Sequence, residues 1–271
     1  MMRQGSKVLI IRFNSIGDIV LTSPVAKILD LAGYEVHYLS KSFYTQLLTP
    51  NPHISKTWSF EGEFSKLNKE LKKEGFDYIV DLHNNYRSAR IKSAIGVKSF
   101  TLSKPRLKLW LLTQFGVNLI KTRHIVYRFM DVISPLTPIK KEIKPEFYFS
   151  NQINEKSSGL SLPEKYIVIC ISAAYKTKTI PDDKIEGIIN DLEHNIVLLG
   201  GKEDIARSAQ LIKRVNRKPI NFVGNTDVEL SAYIIKMAQA VVTGDTGMMH
   251  ISVALNKPTV AVFGSTHAIL G

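Results

Sequence analysis

The sequence has a single cysteine and no long apolar run. Cys170 excludes a disulfide within the chain, and its place in the apolar run YIVICIS predicts a small core side chain. No apolar run approaches the roughly 18 residues that a membrane span needs. The N-terminal apolar stretch is too short for a signal peptide and has no small-residue cleavage site. These absences predict a cytoplasmic protein.

Several common ligand motifs are also missing. The chain contains neither G-x-G-x-x-G nor G-x-x-x-x-G-K-[ST], which excludes the standard dinucleotide and P-loop fingerprints. It has no Asp-x-Asp pair and no His/Cys cluster with metal-ligand spacing, so no metal site is predicted. A Gly-x-Ser-x-Gly elbow, the mark of many serine hydrolases, is absent too.

The charge is positive and unevenly distributed. The formal net charge is +12. Residues 1–150 hold 23 Lys and Arg against 12 Asp and Glu, whereas residues 151–271 hold 13 against 12. The excess in the first half predicts an acidic partner, such as an anionic membrane surface or a phosphorylated substrate, unless it serves solubility alone. Nucleic acid is not predicted, because no nucleic-acid-binding motif is recognised.

The apolar pattern predicts two α/β domains. The chain has 271 residues and 44% apolar content, which is enough for two cores. Short apolar runs alternate with helical patterns in both halves, as in doubly wound parallel sheets. A proline-containing linker is predicted near 137–150, with domains at 1–145 and 146–271 that face each other across a cleft. The predicted strands are 7–12, 35–40, 56–60, 77–82, 98–102, 166–171, 195–201, 220–223, 240–244 and 259–264.

The loop after the first strand contains a candidate catalytic acid. Ligands in doubly wound sheets bind beyond the carboxyl ends of the strands. The first such loop ends in SIGD, and its last residue is Asp18. Asp18 is a candidate general base for an attacking hydroxyl. Spacing alone favours the alternative, a helix-start carboxylate stabilised by the helix dipole.

Two loops of the second half offer nucleotide ligands. Lys176 and Lys178 lie just before a predicted helix start at Pro181, and their ammonium groups would bind phosphate unless they are simply solvated. Glu203, in LGGKED, follows a strand. Acids at such positions hold ribose hydroxyls in nucleotide sites, although a solvated first-turn glutamate is the alternative.

The stretch VVTGDTGMMH, residues 241–250, joins an apolar strand to a helix. Asp245 is predicted to cap that helix, and Gly244 to relax the turn. The free N–H groups at the helix start would then bind an anion. His250, one helical turn further on, is either a ligand contact or a buried histidine. The candidate site residues of this stretch are Asp245, Thr246, Gly247, Met248 and His250.

Basic residues of the first half are candidates for binding an acidic acceptor. Arg87 and Arg90, in NNYRSAR after a predicted strand, would bind carboxylate or phosphate through paired hydrogen bonds. Surface solvation is the alternative. Residues 104–130 mix basic residues with Trp110 and Phe115. That segment would suit an anionic membrane surface or a packed helix with a solvated basic face.

Taken together, these segments resemble glycosyltransferase family 9, the ADP-heptose:lipopolysaccharide heptosyltransferases. The similar pieces include KVLIIRFNSIGDIVLTSPVAKIL, DYIVDLHNNYRSA and NFVGNTDVELSAYIIKMAQAVVTGDTGMMHISVAL. The combination of S-x-G-D near the N-terminus with D-T-G-x-x-H after a late strand is fairly specific. The resemblance spans nearly the whole chain.

This resemblance implies a glycosyltransferase-B fold, with two Rossmann-like domains across a cleft. It implies inverting, metal-independent transfer of heptose from ADP-heptose to the lipopolysaccharide inner core. Asp18 takes the place of the family's general base, Lys178 that of a lysine on the donor phosphates, and Glu203 that of the acid near the ribose. Arg87 corresponds to a basic position near the acceptor. The match to the donor-binding motif comprises Asp245, Thr246, Gly247 and His250.

The resemblance also implies partners and location. It implies a nucleotide-sugar donor with no further cofactor, an acidic lipid A-core acceptor, and peripheral contact with the cytoplasmic face of the inner membrane. Another nucleotide sugar, or a non-catalytic nucleotide-sugar-binding protein, are the alternatives. Ile180 stands where the family usually has Trp. Because the family continues with further helices, the C-terminal domain is expected to be truncated.

Overall fold

The structure, a computed structural model, describes residues 5–103, 114, 123–139, 144–173 and 175–264. The chain divides into two compact units between Lys144 and Pro145, and each unit is built on one five-stranded sheet. No helix of the described residues combines the length and the apolar composition that crossing a membrane requires.

The sheet of the first unit has the strand order β3-β2-β1-β4-β5, and all its strand pairs are parallel. Helices connect the strands, as parallel pairing demands. The elements in chain order are β1 Lys7–Ile11, α1 Ile16–Leu21, α2 Ser23–Leu31, β2 Glu35–Lys41, α3 Ser42–Leu48, β3 Lys56–Phe60, α4 Phe64–Glu74, β4 Tyr78–Asp81, α5 Tyr86–Ile95, β5 Lys98–Thr101 and α6 Ile125–Ile133.

The second sheet has the order β10-β9-β6-β7-β8, again with parallel pairs. Counted within its own unit, this is the strand order of the first sheet. Short 3₁₀ helices lie at Lys176–Lys178 and Lys202–Asp204. The remaining elements are α7 Ile153–Ser157, β6 Tyr166–Cys170, α8 Asp182–Asp191, β7 Asn195–Leu199, α9 Ile205–Arg214, β8 Ile220–Asn221, α10 Val228–Met237, β9 Ala240–Gly244, α11 Gly247–Ala254 and β10 Thr259–Val262.

The central strands are buried on both faces, which explains why they are almost entirely apolar. In β6, Ile169 packs in one apolar cluster while Val168 and Cys170 pack in another, because successive side chains of a strand point to opposite faces. Cys170 is a buried core residue, as predicted. Burial raises the pKa of its thiol to about 12, so the thiol stays protonated at neutral pH.

The predicted strands are all present among the described residues, and the doubly wound parallel class is confirmed. Apolar residues near helical spacing after β1 predict one helix from about Gly17, whereas the structure has two helices there, α1 and α2, which meet at Thr22. Pro24 lies in the first turn of α2, where its missing N–H costs nothing. The sequence also predicts helical structure over 104–134; of this segment α6 is helical, residues 123–124 are not, and residues 104–113 and 115–122, including Trp110 and Phe115, lie outside the described residues.

Each sheet reverses its winding direction at one point. In the first unit this switch point lies between β1 and β4, and in the second between β6 and β9. The loops after these strands diverge and leave a crevice at the carboxyl edge of the sheet. The register aligns Ile11 with Asp81 and Cys170 with Thr243, so the loops that follow begin side by side.

Candidate functional site

Asp18 is the third residue of α1, beyond the carboxyl end of β1. Its carboxylate Oδ2 accepts the N–H of Ser15 at 3.3 Å and the Ser15 hydroxyl at 3.1 Å. This is the backward-reaching half of a capping box, so the helix-start role considered for Asp18 is present in the structure. The side chain nevertheless remains partly exposed, and capping therefore leaves it accessible to another group.

Arg12 holds the same carboxylate. Its Nη2 forms a close ion pair with Asp18 Oδ2, its Nε donates to the carbonyl of Asn14 at 2.8 Å, and its Nη1 donates to the carbonyl of Leu82 at 2.6 Å. The guanidinium thus joins the loops after β1 and β4 to α1. Sequence reasoning missed Arg12, although a charged residue directly after an apolar strand at a switch point is a usable signal.

The loop after β4 is fixed by a buried acid, Asp81. Its Oδ1 accepts the N–H groups of His83 at 3.0 Å and Asn84 at 2.7 Å, and its Oδ2 lies 2.8 Å from Lys92 Nζ. Asn84 adopts a positive φ of 48°, a conformation that Asn tolerates better than most residues. The loop beside Arg12 is therefore held rigidly by a residue that sequence reasoning did not select.

The two predicted acceptor-binding arginines differ in their surroundings. Both lie on the exposed side of α5. The Arg90 guanidinium lies over the Phe64 ring, 4.1 Å from its centroid, which is a cation–π contact. Arg87 forms no ion pair with another described residue. Of the two, Arg87 is the one whose guanidinium is available to a ligand.

At the switch point of the second unit, Lys178 meets Asp245. Lys178 ends the 3₁₀ helix that follows β6, and Asp245 follows β9. Their Nζ and Oδ2 atoms are 2.6 Å apart. The structure thus brings together two residues that the sequence selected separately, and it leaves the lysine more exposed than the acid.

Two glycines permit this approach. A Cβ on Gly244 would lie 2.2 Å from the carbonyl oxygen of Lys178, and one on Gly264 would lie 2.1 Å from that of Thr177. Cβ atoms essentially never come within 3.0 Å of another heavy atom. Gly244 is therefore required for close backbone approach, not for the turn conformation that the sequence suggested, and its φ is not positive.

The capping role predicted for Asp245 is wrong. The N-cap of α11 is Thr246, with φ −136° and ψ 175°, and the Thr246 side chain makes no capping hydrogen bond. The Asp245 carboxylate binds Lys178 instead. Thr246 Oγ1 lies 3.2 Å from Thr243 Oγ1. Because the Thr246 side chain does not cap them, the first N–H groups of α11 are placed to give the anion-binding capacity of a helix start.

The other predicted donor residues lie on the same edge of the sheet. Met248 packs its side chain against the core, so only its backbone N–H is suited to an anion. His250 lies partly buried on α11. Glu203 is exposed on the 3₁₀ helix after β7. Its neighbour Asp204 is the fixed acid there, since it accepts a short hydrogen bond from Ser172 Oγ.

Arg207 fixes the loop that carries Lys178. Its Nη1 donates to the carbonyl of Ile171 at 2.6 Å and its Nη2 to that of Ile180 at 2.7 Å, so it binds both ends of the loop. Its Nε lies 2.8 Å from Asp182 Oδ1. Ile180 itself is buried in the core. Sequence reasoning missed Arg207, which lies on α9 and away from every motif.

One group of described residues has the composition of a metal site. Glu35, His37 and Glu74 place ligand atoms within 4.8 Å of one another, near the amino ends of β1 and β2 and away from Asp18. Glu74 already binds Lys56 at 2.8 Å and Lys7 at 2.7 Å. These hydrogen bonds lower its pKa to about 2. Because the lysines already balance the carboxylate charge, this group is assigned a structural role.

Comparison with known proteins adds to this geometry. The model of glycosyltransferase family 9 (heptosyltransferase) matches residues 64–270. Lipopolysaccharide heptosyltransferase 1 of Campylobacter coli is 21% identical over 290 residues, which covers 96% of this chain and 84% of that protein.

Solved structures share the fold. The family 9 glycosyltransferase of Veillonella parvula superposes with a TM-score of 0.81 at 22% identity, covering 98% of this chain and 84% of that one. The ADP-heptose lipopolysaccharide heptosyltransferase II of Escherichia coli gives 0.76 at 21% identity, covering 96% and 86%. These likenesses confirm the glycosyltransferase-B class. The match over most of its length places the chain in glycosyltransferase family 9, and the protein is a glycosyltransferase.

Proposed function

We propose that this protein transfers heptose from ADP-heptose to the inner core of lipopolysaccharide, with inversion at the anomeric carbon and without a metal ion. The family supplies the reaction class. The similarity in fold to the ADP-heptose lipopolysaccharide heptosyltransferase II of E. coli supports the choice of donor and acceptor. The second unit would hold the donor and the first would supply the base.

The observation that carries the proposal is the Lys178–Asp245 pair at the start of α11. A partly exposed ammonium lies 2.6 Å from a largely buried carboxylate, beside a helix start whose N-cap residue, Thr246, makes no side-chain capping hydrogen bond. Lys178 Nζ and the N–H groups of Thr246, Gly247 and Met248 would together neutralise a diphosphate. Preorganised donors of this kind stabilise a leaving group as its charge develops.

Asp18 would accept the proton of the attacking hydroxyl. Its carboxylate is fixed by Arg12 and Ser15 and remains partly exposed. A positioned carboxylate typically contributes about 10²–10⁴-fold to a proton transfer. Direct attack by the acceptor, with no covalent intermediate, inverts the anomeric carbon.

Donor charge would be neutralised by the protein alone. Lys178 and the α11 backbone supply positive charge where a metal-dependent enzyme would hold a cation between carboxylates. Glu203 and His250 would contact the nucleoside or sugar portion from the same edge of the sheet. Activity should therefore survive EDTA, and complete loss that magnesium or manganese restores would reject this part of the mechanism.

The acceptor would be an acidic glycolipid. Arg87 is exposed and has no ion pair among the described residues, and the first half of the chain carries a net charge of +11. Both features support binding of a phosphorylated lipid A-core at the cytoplasmic face of the inner membrane. Peripheral contact through basic side chains fits this substrate, since surface charges bind anionic lipids.

Ligand-dependent melting followed by turnover tests the proposal. A ligand that binds the folded protein at 100 times its Kd stabilises it by about 2.7 kcal/mol. ADP-heptose should raise the melting temperature more than UDP- or GDP-sugars, and Lys178→Gln should reduce the stabilisation by ADP-heptose, because it removes a diphosphate ligand. ADP release should then require a lipid A-core acceptor. Stabilisation by another nucleotide sugar would replace the donor, and binding without acceptor-dependent ADP release would indicate a non-catalytic protein.

A further inference from the structure

The Arg12 guanidinium is fully engaged with protein groups. Nε binds the carbonyl of Asn14, Nη1 binds the carbonyl of Leu82, and Nη2 binds Asp18 Oδ2. Its carbon centre also lies 5.9 Å from the centroid of the Phe129 ring. With each nitrogen on a partner and the ring beside it, this planar group has one well-defined orientation.

The two oxygens of Asp18 are therefore unequal. Oδ2 accepts from Arg12 Nη2, from the Ser15 N–H and from the Ser15 hydroxyl. Oδ1 has no hydrogen bond to any described residue. A carboxylate oxygen with three donors has little capacity for another, so the accepting capacity of Asp18 is concentrated on Oδ1.

The exposed fractions of the two side chains also favour contact of a ligand with Asp18 over contact with Arg12. The Asp18 side chain is 30% exposed, whereas the Arg12 side chain is 12% exposed. A ligand that approaches this edge of the sheet therefore reaches the carboxylate more readily than the guanidinium. An anion-binding role for Arg12 would require it to give up contacts that it already makes.

We propose that Arg12 is the positioning residue for Asp18, and that Oδ1 of Asp18 is the oxygen that receives the acceptor's proton. This inference rests on the proposed function, because it takes Asp18 to be the general base. Arg12 does not touch substrate. It holds Oδ2 so that Oδ1 points outward, with α1 and the loop after β4 as the fixed frame. The proton moves from the attacking hydroxyl to Oδ1 as the glycosidic bond forms and the bond to the diphosphate breaks.

A double-mutant cycle on the full chain tests the assignment. Arg12→Gln and Asp18→Asn are made singly and together, and kcat and both KM values are measured with ADP-heptose and a lipid A-core acceptor. Arg12→Lys is measured alongside, because it keeps the charge and remains informative if the Gln variant unfolds. The matched control is Arg128→Gln, since Arg128 Nη2 also donates to a backbone carbonyl, that of Ser103 at 2.8 Å, but forms no ion pair with a carboxylate of the described residues.

The positioning role predicts a specific pattern. Arg12→Gln should lower kcat by about 10²-fold, the usual effect of a misplaced catalytic group, with donor and acceptor KM nearly unchanged. Arg12→Lys should recover part of kcat. In the Asp18→Asn background, Arg12→Gln should cause no further loss of kcat, because the group it positions is no longer a base. Arg128→Gln should leave kcat unchanged.

Two results would overturn the inference and one would overturn its premise. If Arg12→Gln lowers kcat equally with and without Asp18, Arg12 acts independently of that carboxylate. If Arg12→Gln raises KM but spares kcat, Arg12 binds substrate. If Asp18→Asn alone turns over like wild type, Asp18 is not the general base. The proposed mechanism then fails, and the positioning role of Arg12 loses its premise.

Discussion

The two switch points each hold one cation and one carboxylate, in opposite arrangements. In the first unit the arginine is the more buried partner, with Arg12 12% and Asp18 30% exposed. In the second unit the carboxylate is the more buried partner, with Asp245 9% and Lys178 27% exposed. One edge presents a negative group backed by a cation, and the other presents a positive group backed by an acid.

This contrast shows how one topology supports two kinds of chemistry. Both sheets have the same strand order within their units, so both place their crevice after equivalent strands. The more exposed residue of each pair then determines which kind of ligand the crevice can bind. Under the proposed function, Asp18 would accept a proton from the acceptor and Lys178 would bind the diphosphate, so that the fold would set the location and the side chains the function.

The largest effect is expected from a substitution that prevents the close approach of the Gly244 and Lys178 backbones. Gly244→Ala would place a Cβ 2.2 Å from the Lys178 carbonyl oxygen. Because this atom belongs to the backbone, a change of side-chain rotamer cannot relieve the clash. Overpacking of this kind costs about 3 kcal/mol at its upper range, and donor binding should be lost. Gly187→Ala is the matched control, since its Cβ would meet nothing within 4 Å. If the Gly244→Ala variant binds the donor with unchanged affinity, this backbone contact does not position Lys178 for donor binding.

Arg207→Gln should weaken the second edge while leaving the first intact. It removes a charged donor from the carbonyls of Ile171 and Ile180, and hydrogen bonds to charged groups contribute about 1.5–3 kcal/mol. We expect a raised donor Kd with little change in acceptor KM, by calorimetry and steady-state kinetics. Arg217→Gln, which loses a single bond to the Leu192 carbonyl, is the control. Equal weakening of donor and acceptor would mean that Arg207 serves general stability.

Arg87→Ala tests whether the first unit, in contrast to the second, binds the acceptor. If this exposed arginine binds the acidic acceptor, its loss should raise acceptor KM by about 2 kcal/mol in free energy and leave donor affinity nearly constant. Arg90→Ala is the matched control, because its guanidinium stacks on Phe64; its effect should be on melting temperature. If both variants raise acceptor KM equally, the separation between the two arginines is wrong.

The smallest effect concerns the opposite edge of the first sheet. Hydrogen bonds from Lys56 and Lys7 lower the pKa of Glu74 from its ordinary 4.5 to about 2. The stabilisation is therefore fully present above pH 4.5 and is lost as the pH falls toward 2. Glu74→Gln should cost about 1 kcal/mol at neutral pH and progressively less in acid, as measured by denaturant unfolding. The control is Glu70→Gln on the same helix. A pH-independent loss would indicate packing instead of charge.

The fold was accessible to sequence reasoning because its signals are local. The central strands are short apolar runs, as in Lys7–Ile11 or Asn195–Leu199, and the alternation with helices favours parallel pairing. The rule that ligands bind after the strands then selects Asp18, Lys178 and Asp245 without any contact being known.

What sequence reasoning missed depends on partners distant in the chain. Asp245 looks like a helix cap locally, but a lysine 67 residues earlier takes its carboxylate. Arg12 donates to the carbonyl of Leu82, which lies 70 residues later in the chain. Arg207 donates to the carbonyl of Ile171, which lies 36 residues earlier. No periodicity reports such pairs. The helix broken at Thr22 was recoverable, because Pro24 marks a new first turn.

The central claim is that the first edge supplies a base and the second binds the donor. Asp18→Asn and Lys178→Gln, each measured for kcat and for ADP-heptose Kd, test it most directly. Asn keeps the size and hydrogen-bonding capacity of Asp18 but not its proton affinity. The account predicts that Asp18→Asn lowers kcat by about 10²–10⁴-fold with Kd unchanged, whereas Lys178→Gln raises Kd by about 1.5–3 kcal/mol in free energy. An Asp18→Asn variant that turns over within a few-fold of wild type, or two variants with the same profile, would contradict it.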